Sequence, residues 1–315
     1  MNTAITQMLG IKYPIFQGAM AWISDAKLAA AVSEAGGLGI IAAGGAAADI
    51  VREEIRAAKK LTDKPFGVNI MLMNPEADRI AEMLAEEKPA VVTTGAGNPA
   101  KYIAALHAAG IKVFPVVAGV SIARLVARAG ADGVIAEGTE SGGHIGAHAT
   151  MSLVPQVARA VEIPVLAAGG IASGAGLAAA LCLGAEGVQC GTVFVASAEC
   201  TASAAYKDMI VKAGDNATAV TGRSAGLPVR GIKNNLTGRI LEMERLGAPA
   251  EAIEAETVGS LRRAVKEGDV RDGTVMSGQI AGLIGSIRPV ADILSDMAAE
   301  AGRILAEKRA VFREC

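Results

Sequence analysis

His144 is the histidine whose sequence position best suits it to catalysis. It is one of three histidines in 315 residues, and it alone follows a pair of glycines, in Ser141-Gly142-Gly143-His144. An imidazole can donate to a developing enolate oxygen or move a proton near neutral pH. It can equally do no more than hydrogen-bond a ligand or a loop carbonyl. Direct participation in a reaction and a binding role therefore both stay open.

Glu137 is an ionisable residue at the end of the apolar run that precedes His144. It ends the run from Gly133 and could tune the histidine, orient a cofactor, or make only a structural hydrogen bond. His148 follows His144 by four residues, but no carboxylate or cysteine lies at ligand spacing from them. The four cysteines (Cys182, Cys190, Cys200 and Cys315) show no CxxC spacing. We predict neither a metal site nor disulfides.

Two glycine-containing segments indicate a phosphate site. Ala168-Gly169-Gly170-Ile171 follows an apolar run and is predicted to open a helix, and Gln189-Cys190-Gly191-Thr192 ends the next run. Backbone N–H groups at a helix N-terminus bind phosphate dianions, and α/β barrels place such a site after their last two strands. Either segment alone could be a simple turn, but the pair at these positions favours phosphate binding.

A repeated strand–helix unit positions these segments. Short apolar runs alternate with alanine-rich segments of helical length, and steps into glycine such as Ala109-Gly110 separate several of the helices from the next strand. The runs are Pro14–Gln17, Leu38–Ala43, Phe66–Leu72, Ala90–Thr94, Val113–Val117, Gly133–Glu137, Pro164–Ala168 and Gly187–Phe194. Eight such units predict an α/β fold of the TIM (β/α)8 type. A doubly wound sheet would place GxGxxG after its first strand, where this chain has Gln17-Gly18-Ala19-Met20.

After the eighth unit, the chain has more charged residues and more glycine, and strands and helices no longer alternate. We predict the barrel over residues 1–213, a small cap inserted over the barrel mouth at 214–288, and a C-terminal segment at 289–315 whose helix, Ala291–Arg309, packs on the barrel. Within the cap, Thr221 to Arg245 carries five basic residues against two glutamates, and Arg230 and Lys233 in it are candidate docking residues for an acidic partner.

Bulk composition excludes several classes of partner. The net charge is −2 and the pI about 6.0, so no overall field attracts nucleic acid or an anionic membrane. Ile163 to Ala185 carries no charge, but Pro164, Gly169, Gly170, Gly174 and Gly176 divide it into a strand, a turn and a helix. The first residues lack the basic and apolar regions of a signal peptide, and we expect a cytoplasmic protein.

Several motifs together resemble one enzyme family. They are Phe16-Gln17-Gly18-Ala19-Met20-Ala21-Trp22, Lys64 to Met71, Val92 to Pro99, Glu137 to Gly146, Ile232-Lys233-Asn234 and Met276 to Leu283. Nearly the whole chain is similar to the FabK-type flavin-dependent enoyl-[acyl-carrier-protein] reductases. This resemblance implies reduction of a trans-2-enoyl thioester by NADH through bound FMN, with an acyl carrier protein as partner and a homodimer as the assembly. A monovalent cation is a further candidate cofactor.

The resemblance also implies roles for individual residues. The FMN phosphate would lie on Gly169, Gly170, Gly191 and Thr192, and the isoalloxazine against Gly18, Ala19, Met20 and Asn69. Further candidate cofactor contacts are Thr94, Glu137, Gly143, Gln189 and Gln279, with His144 as the catalytic residue and Met276 lining the slot for the acyl chain. For Met276, ordinary core packing is the simpler alternative.

Two other functions stay open. Nitronate monooxygenases share the fold, the flavin and a histidine on the same loop, and would use it as a base. A phosphate-binding barrel without redox chemistry, such as a sugar-phosphate isomerase or a non-catalytic binding protein, would be colourless.

Overall fold

Eight parallel strands form the centre of the molecule in the computed structural model, which describes residues 1–311 and so excludes Cys315. All strands of the described residues, in chain order, are β1 (Ile15–Gln17), β2 (Ile40–Ala42), β3 (Gly67–Met71), β4 (Val91–Gly95), β5 (Lys112–Val117), β6 (Val134–Glu137), β7 (Gly143–His144), β8 (Val165–Ala168), β9 (Gly187–Cys190), β10 (Thr218–Thr221) and β11 (Val229–Ile232). Of these, β7, β10 and β11 lie outside the barrel.

Helices follow the barrel strands, and their ends are set by local sequence. They are α1 (Ala4–Leu9), α2 (Ala26–Glu34), α3 (Ala48–Leu61), α4 (Ala77–Glu87), α5 (Ala100–Ala108), α6 (Val120–Arg128), α7 (Thr150–Ala158), α8 (Gly174–Cys182), α9 (Thr192–Val195), α10 (Ala204–Val211), α11 (Asn235–Arg245), α12 (Ala250–Thr257), α13 (Ser260–Arg262) and α14 (Val290–Val311). A π-helical turn spans Arg263–Glu267 and a 3₁₀ helix spans Gln279–Leu283. The side chains of Asp25, Ser173, Ser203 and Asn234 cap α2, α8, α10 and α11 by accepting a backbone N–H three residues on.

The eight strands close into a barrel in the order β1-β9-β8-β6-β5-β4-β3-β2. The remaining gap is bridged by Phe16 and Leu38, where Gln17 N donates to Leu38 O at 2.9 Å and Leu38 N donates to Ile15 O at 3.0 Å. The predicted TIM barrel is therefore confirmed. Phe16 and Phe114 meet edge to face inside it with their ring centroids 5.7 Å apart, and Ile5 of α1 packs into the same cluster.

The eighth barrel strand, β9, is shorter than its apolar run predicts. The run continues to Phe194, but the strand ends at Cys190, and Thr192 to Val195 form the short helix α9. Gly191 separates the two elements, and the residues after it are fully buried although they are helical. Hydrophobicity alone cannot distinguish a buried strand from a buried helical turn, so the apolar run extends to Phe194 although the strand ends within the Gln189–Thr192 segment.

A three-stranded antiparallel sheet lies over the barrel mouth. It has the order β10-β11-β7, and β11 pairs with β7 by placing Val229 opposite His144 and Arg230 opposite Gly143. Strands β10 and β11 come from the insertion after the eighth barrel strand, whereas β7 comes from the loop after β6. The cap sheet is thus completed by the loop that carries His144. The domain boundaries at 213 and 288 stay predictions.

The C-terminal helix α14 packs along α8. A Cβ atom at Gly174 would lie 2.5 Å from the carbonyl oxygen of Met297, so glycine is required where the two helices meet. The Glu300 carboxylate accepts from Gly174 N at 2.6 Å. The uncharged segment from Ile163 to Ala185 forms β8 and α8, as predicted. Within residues 1–311, no helix has both the length and the apolarity required to span a bilayer.

Candidate active site

A cavity at the carboxyl ends of the barrel strands brings together most of the predicted cofactor contacts. Nine of them line it: Gly18, Ala19, Met20, Glu137, Gly169, Gly170, Gln189, Gly191 and Thr192. Ser141, Gly142 and Gly278 complete its polar side. The loops after β1, β6, β8 and β9 therefore converge on one site, as the barrel topology requires.

The loop after β8 forms a cradle of main chain. Gly169 and Gly170 have φ of +93° and +73°, and a Cβ atom at Gly169 would lie 2.8 Å from the carbonyl oxygen of Gly138. Only glycine fits this backbone without strain. Because neither residue has a side chain, the N–H groups of Gly169 and Gly170 are open to a ligand.

The helix N-terminus that faces the cavity belongs to α9, whereas the sequence predicted that of the helix after β8. Helix α8 begins at Gly174 rather than at Gly170, and its N-terminus is occupied by Ser173 Oγ and the Glu300 carboxylate. The start of α9, at Gly191 and Thr192, is the helix terminus that faces the cavity. The prediction that Ala168 to Ile171 opens a helix was wrong, because a turn separates Gly170 from Ser173.

Glu137 is the titratable group of this cavity. It ends β6, and burial raises the pKa of its carboxyl from 4.5 to about 7. At neutral pH the group is present in both its protonated and its ionised form, which suits it to proton exchange with a ligand.

Three buried hydroxyls have no hydrogen-bond partner within residues 1–311. They belong to Thr94 at the end of β4, Ser141 in the loop after β6, and Ser277 in the cap segment. A buried hydroxyl without a partner costs about 1–3 kcal/mol, so native proteins rarely leave one unpaired. Ser141 lines the cavity, and Ser277 lies against Gly142, where a Cβ atom would meet the Ser277 main chain at 2.6 Å.

His144 lies on β7, beside the cavity rather than among the residues that line it. His144 is exposed, although neighbouring protein atoms desolvate the ring enough to lower its pKa. The neutral imidazole is therefore favoured at pH 7. In that form it can accept a proton or donate one N–H hydrogen bond.

The other histidines have structural partners. His107 bonds Asp132 at 2.7 Å, and His148 Nδ1 contacts the carbonyl oxygen of Ala118 at 3.1 Å. Among residues 1–311, no group of three or more His, Cys, Asp or Glu side chains is arranged to hold a metal ion.

The remaining predicted cofactor contacts lie around the cavity without lining it. Asn69 donates from Nδ2 to Thr93 Oγ1 at 3.0 Å on the neighbouring strand, and Gly143 lies next to the sulfur of Met276. The main chain of Gln279 donates to the carbonyl oxygen of Glu140 at 2.9 Å. Its side chain lines a second, apolar groove beside Gly170.

Gln17 and Ser24 hold the loop after β1, and sequence analysis did not identify this role. Gln17 is fully buried; its Nε2 donates to the carbonyl oxygen of Gly18 at 2.6 Å and to Ser24 Oγ at 2.9 Å. Met20 N in turn donates to Ser24 Oγ at 2.9 Å. A polar amide at the end of an otherwise apolar strand was the available signal in the sequence.

The cap is fixed to the barrel next to the phosphate cradle. Gly278 N donates to Thr192 Oγ1 at 2.9 Å, and the Tyr206 hydroxyl donates to the carbonyl oxygen of Met276 at 2.8 Å. Met276 also forms a bridge with Gly231 of β11. The segment from Met276 to Gln279 therefore connects the cavity to the cap sheet.

The predicted basic docking surface does not exist as one patch. Arg230 is 7% exposed and donates to the carbonyl oxygen of Thr139, so it cannot serve as a surface docking residue, and that prediction was wrong. Arg239 pairs with Glu256 and Asp272, and Arg245 pairs with Glu242. Lys233 is exposed, and its docking role stays a prediction.

Comparisons with known proteins place the chain in a family. The nitronate monooxygenase family model matches residues 2–87 and 76–300. The structure of FabK from Thermotoga maritima is 52% identical, with a TM-score of 0.96 over 99% of both chains. A nitronate monooxygenase of Pseudomonas aeruginosa is 38% identical over 75% of this chain and 81% of its own.

A third relative comes from Mycobacterium tuberculosis. This (3aS,4S,5R,7aS)-5-hydroxy-7a-methyl-1-oxo-octahydro-1H-indene-4-carboxyl-CoA dehydrogenase is 38% identical over 88% of this chain and 79% of its own. The chain belongs to the nitronate monooxygenase family of oxidoreductases.

Proposed function

We propose that this member of the nitronate monooxygenase family is an FMN- and NADH-dependent enoyl-[acyl-carrier-protein] reductase. One observation carries the proposal: the likeness to FabK from Thermotoga maritima extends over 99% of both chains at 52% identity. Identity with the nitronate monooxygenase of Pseudomonas aeruginosa is lower, at 38%, and covers less of the chain. The mycobacterial relative is named as a dehydrogenase of a CoA thioester, which is the same substrate class.

The cavity fits FMN on its own chemistry. The main-chain cradle of Gly169 and Gly170 and the start of α9 suit a phosphate dianion. The unpaired hydroxyl of Ser141, which lines the cavity, suits a hydroxyl or carbonyl of a ribityl-flavin. When bound, FMN would supply hydride transfer, which no side chain of the protein can perform.

The chain's own residues would orient the substrate and manage its proton. Reduction of a trans-2-enoyl thioester adds hydride at C3 and a proton at C2. His144, neutral at pH 7, can donate its N–H to the thioester oxygen as charge develops there. Glu137, with a pKa of about 7, can hold an exchangeable proton within the cavity. Met276 would contact the acyl chain.

We further propose an acyl carrier protein as the partner that delivers the substrate, in the cytoplasm, and a homodimer as the working assembly. Because Arg230 is buried, docking of the acidic carrier would use exposed cap residues such as Lys233 and Arg223.

Nitronate monooxygenase activity is the alternative. The family model carries that name, and a neutral His144 is also the form that a base requires. A barrel without redox chemistry is disfavoured by membership of an oxidoreductase family.

The visible spectrum of the purified protein is the first test, since a colourless preparation that takes up no added FMN contradicts the proposal. Anaerobic reduction of crotonyl thioester by NADH then separates the two flavin enzymes. Turnover of an alkyl nitronate with oxygen, without turnover of the thioester, would establish the alternative.

A further inference from the structure

The loop after β1 has a main-chain donor that the protein itself does not use. Ala19 lines the cavity, and its N–H has no hydrogen-bond partner within residues 1–311. The N–H groups on either side of it are engaged, since Gly18 N donates to the carbonyl oxygen of Cys190 at 2.9 Å and Met20 N donates to Ser24 Oγ at 2.9 Å. The Ala19 N–H is therefore available to a ligand.

The direction of this N–H is fixed from the other end of its peptide group. In a trans peptide the C=O and the N–H point in opposite directions, and the peptide between Gly18 and Ala19 is trans. The Gly18 carbonyl oxygen accepts from Gln17 Nε2 at 2.6 Å and from Ser24 Oγ at 3.3 Å. The Ala19 N–H consequently points away from Gln17 and Ser24.

Gln17 lies on the helix side of the barrel wall. Side chains alternate along a strand, and Phe16 points into the barrel interior whereas Ile15 packs in the core between the strands and the helices. Gln17 shares the side of Ile15 and is fully buried there. The Gly18 carbonyl that it holds thus faces the helices. This directs the Ala19 N–H toward the barrel axis, where the cavity lies.

Further bonds hold this arrangement in place. Gln17 Oε1 accepts from Ile40 N at 3.1 Å, which fixes the side chain to β2, and Ser24 N donates to the carbonyl oxygen of Met20 at 2.9 Å. Trp22, in the turn of the same loop, has a φ of +67°, which a residue with a side chain adopts only where the surrounding structure imposes it. The donor is therefore preorganised by the protein.

We propose that the Ala19 N–H donates to the isoalloxazine ring of bound FMN, and that Gln17 and Ser24 are the positioning residues for this donor. The inference rests on the proposed function, because it requires the flavin. Ala19 and Met20 give this wall of the cavity an apolar surface that suits a flat ring, whereas the phosphate takes the glycine cradle. A fixed N–H stabilises the ring most where negative charge develops on reduction.

The reduction potential of bound FMN tests this without turnover. Ser24→Ala and Gln17→Met each remove one of the two donors to the Gly18 carbonyl, so the Ala19 N–H loses its fixed direction. A hydrogen bond to a charged group is worth about tenfold in affinity, so both variants should bind reduced FMN up to about tenfold more weakly relative to oxidised FMN. For a two-electron couple, a tenfold change lowers the potential by about 30 mV.

Ser33→Ala is the matched control. Ser33 is also a buried hydroxyl that joins main-chain groups, since it donates to the carbonyl oxygen of Pro65 at 2.9 Å and accepts from Gly39 N at 3.2 Å. It lies at the opposite end of α2 from Ser24, so its loss should leave the potential unchanged.

Three results would overturn the proposal: an unchanged potential in the Ser24 and Gln17 variants, equally weakened binding of oxidised and reduced FMN, or the same shift in the Ser33 variant. Ser24→Ala removes a single oxygen atom and keeps the test possible if Gln17→Met does not fold. The measurement needs only bound flavin. It therefore tests the inference even if enoyl reduction, and with it the proposed function, is not found.

Discussion

Replacing Glu137 by glutamine tests whether this carboxyl is the group whose ionisation limits stability at neutral pH. Burial raises its pKa from 4.5 to about 7. The folded protein then binds the proton more tightly than the unfolded chain, so stability falls as the pH rises from about 4.5 to about 7. At about 1.36 kcal/mol per pKa unit, the loss is about 3 kcal/mol, complete above pH 7.

The assay is thermal unfolding of the wild type and Glu137→Gln at pH 5 and pH 8, with matched flavin content. For a chain of 315 residues, 3 kcal/mol corresponds to a difference in Tm of about 5 °C. From pH 5 to pH 8, the Tm of Glu137→Gln should rise by that amount relative to the Tm of the wild type. His144, whose lowered pKa acts in the opposite direction, is present in both proteins and cancels in the difference. Parallel pH profiles for the two proteins would show that Glu137 does not carry a raised pKa.

Three other changes have defined outcomes. His144→Ala should slow transfer from reduced flavin to the enoyl thioester by about 10²- to 10⁴-fold in stopped-flow measurements while flavin reduction by NADH persists, and the reverse pattern would refute the assigned role. Gly170→Asp, at a φ of +73° beside the Glu140 side chain, should lose FMN while circular dichroism stays native; stoichiometric flavin would disprove the phosphate site. Thr192→Val leaves Gly278 N without its acceptor and should lower stability by about 1–3 kcal/mol in denaturant titrations, whereas no change would show that water replaces the bond.

Hydrophobic patterning predicted the barrel because its strands lie in mostly apolar runs and several helices are followed by a glycine. Gly36, Gly110, Gly130 and Gly184 all have positive φ, as the left-handed cap requires. The apolar run outlasts β9, because the chain stays buried but turns helical after Gly191. Burial is common to both conformations, so hydrophobicity alone gave no signal for the helix α9.

The loops that converge at the mouth were predictable for a similar reason, since parallel strands must end at the same edge of the barrel. The pairing of the His144 strand with the cap was not predictable from the sequence. Strand β7 has two residues, too few to show any periodicity, and its partner β11 lies 85 positions away in the register between Val229 and His144. Such a contact is fixed by tertiary packing alone.

The same packing explains why the basic stretch from Thr221 to Arg245 was misread as a docking surface. The number of charged residues can be read from the sequence, but the sequence does not show which of them are buried, paired or free. In the structure, Arg239 and Arg245 are neutralised by carboxylates, and Arg230 points inward to the loop that carries His144. A guanidinium buried at that depth without a carboxylate partner is costly for folding, and its hydrogen bonds to the Thr139 carbonyl and the Thr218 hydroxyl offset part of that cost. Of the predicted basic stretch, Arg223 and Lys233 are the residues that stay exposed, so they are the ones available to attract an acidic partner.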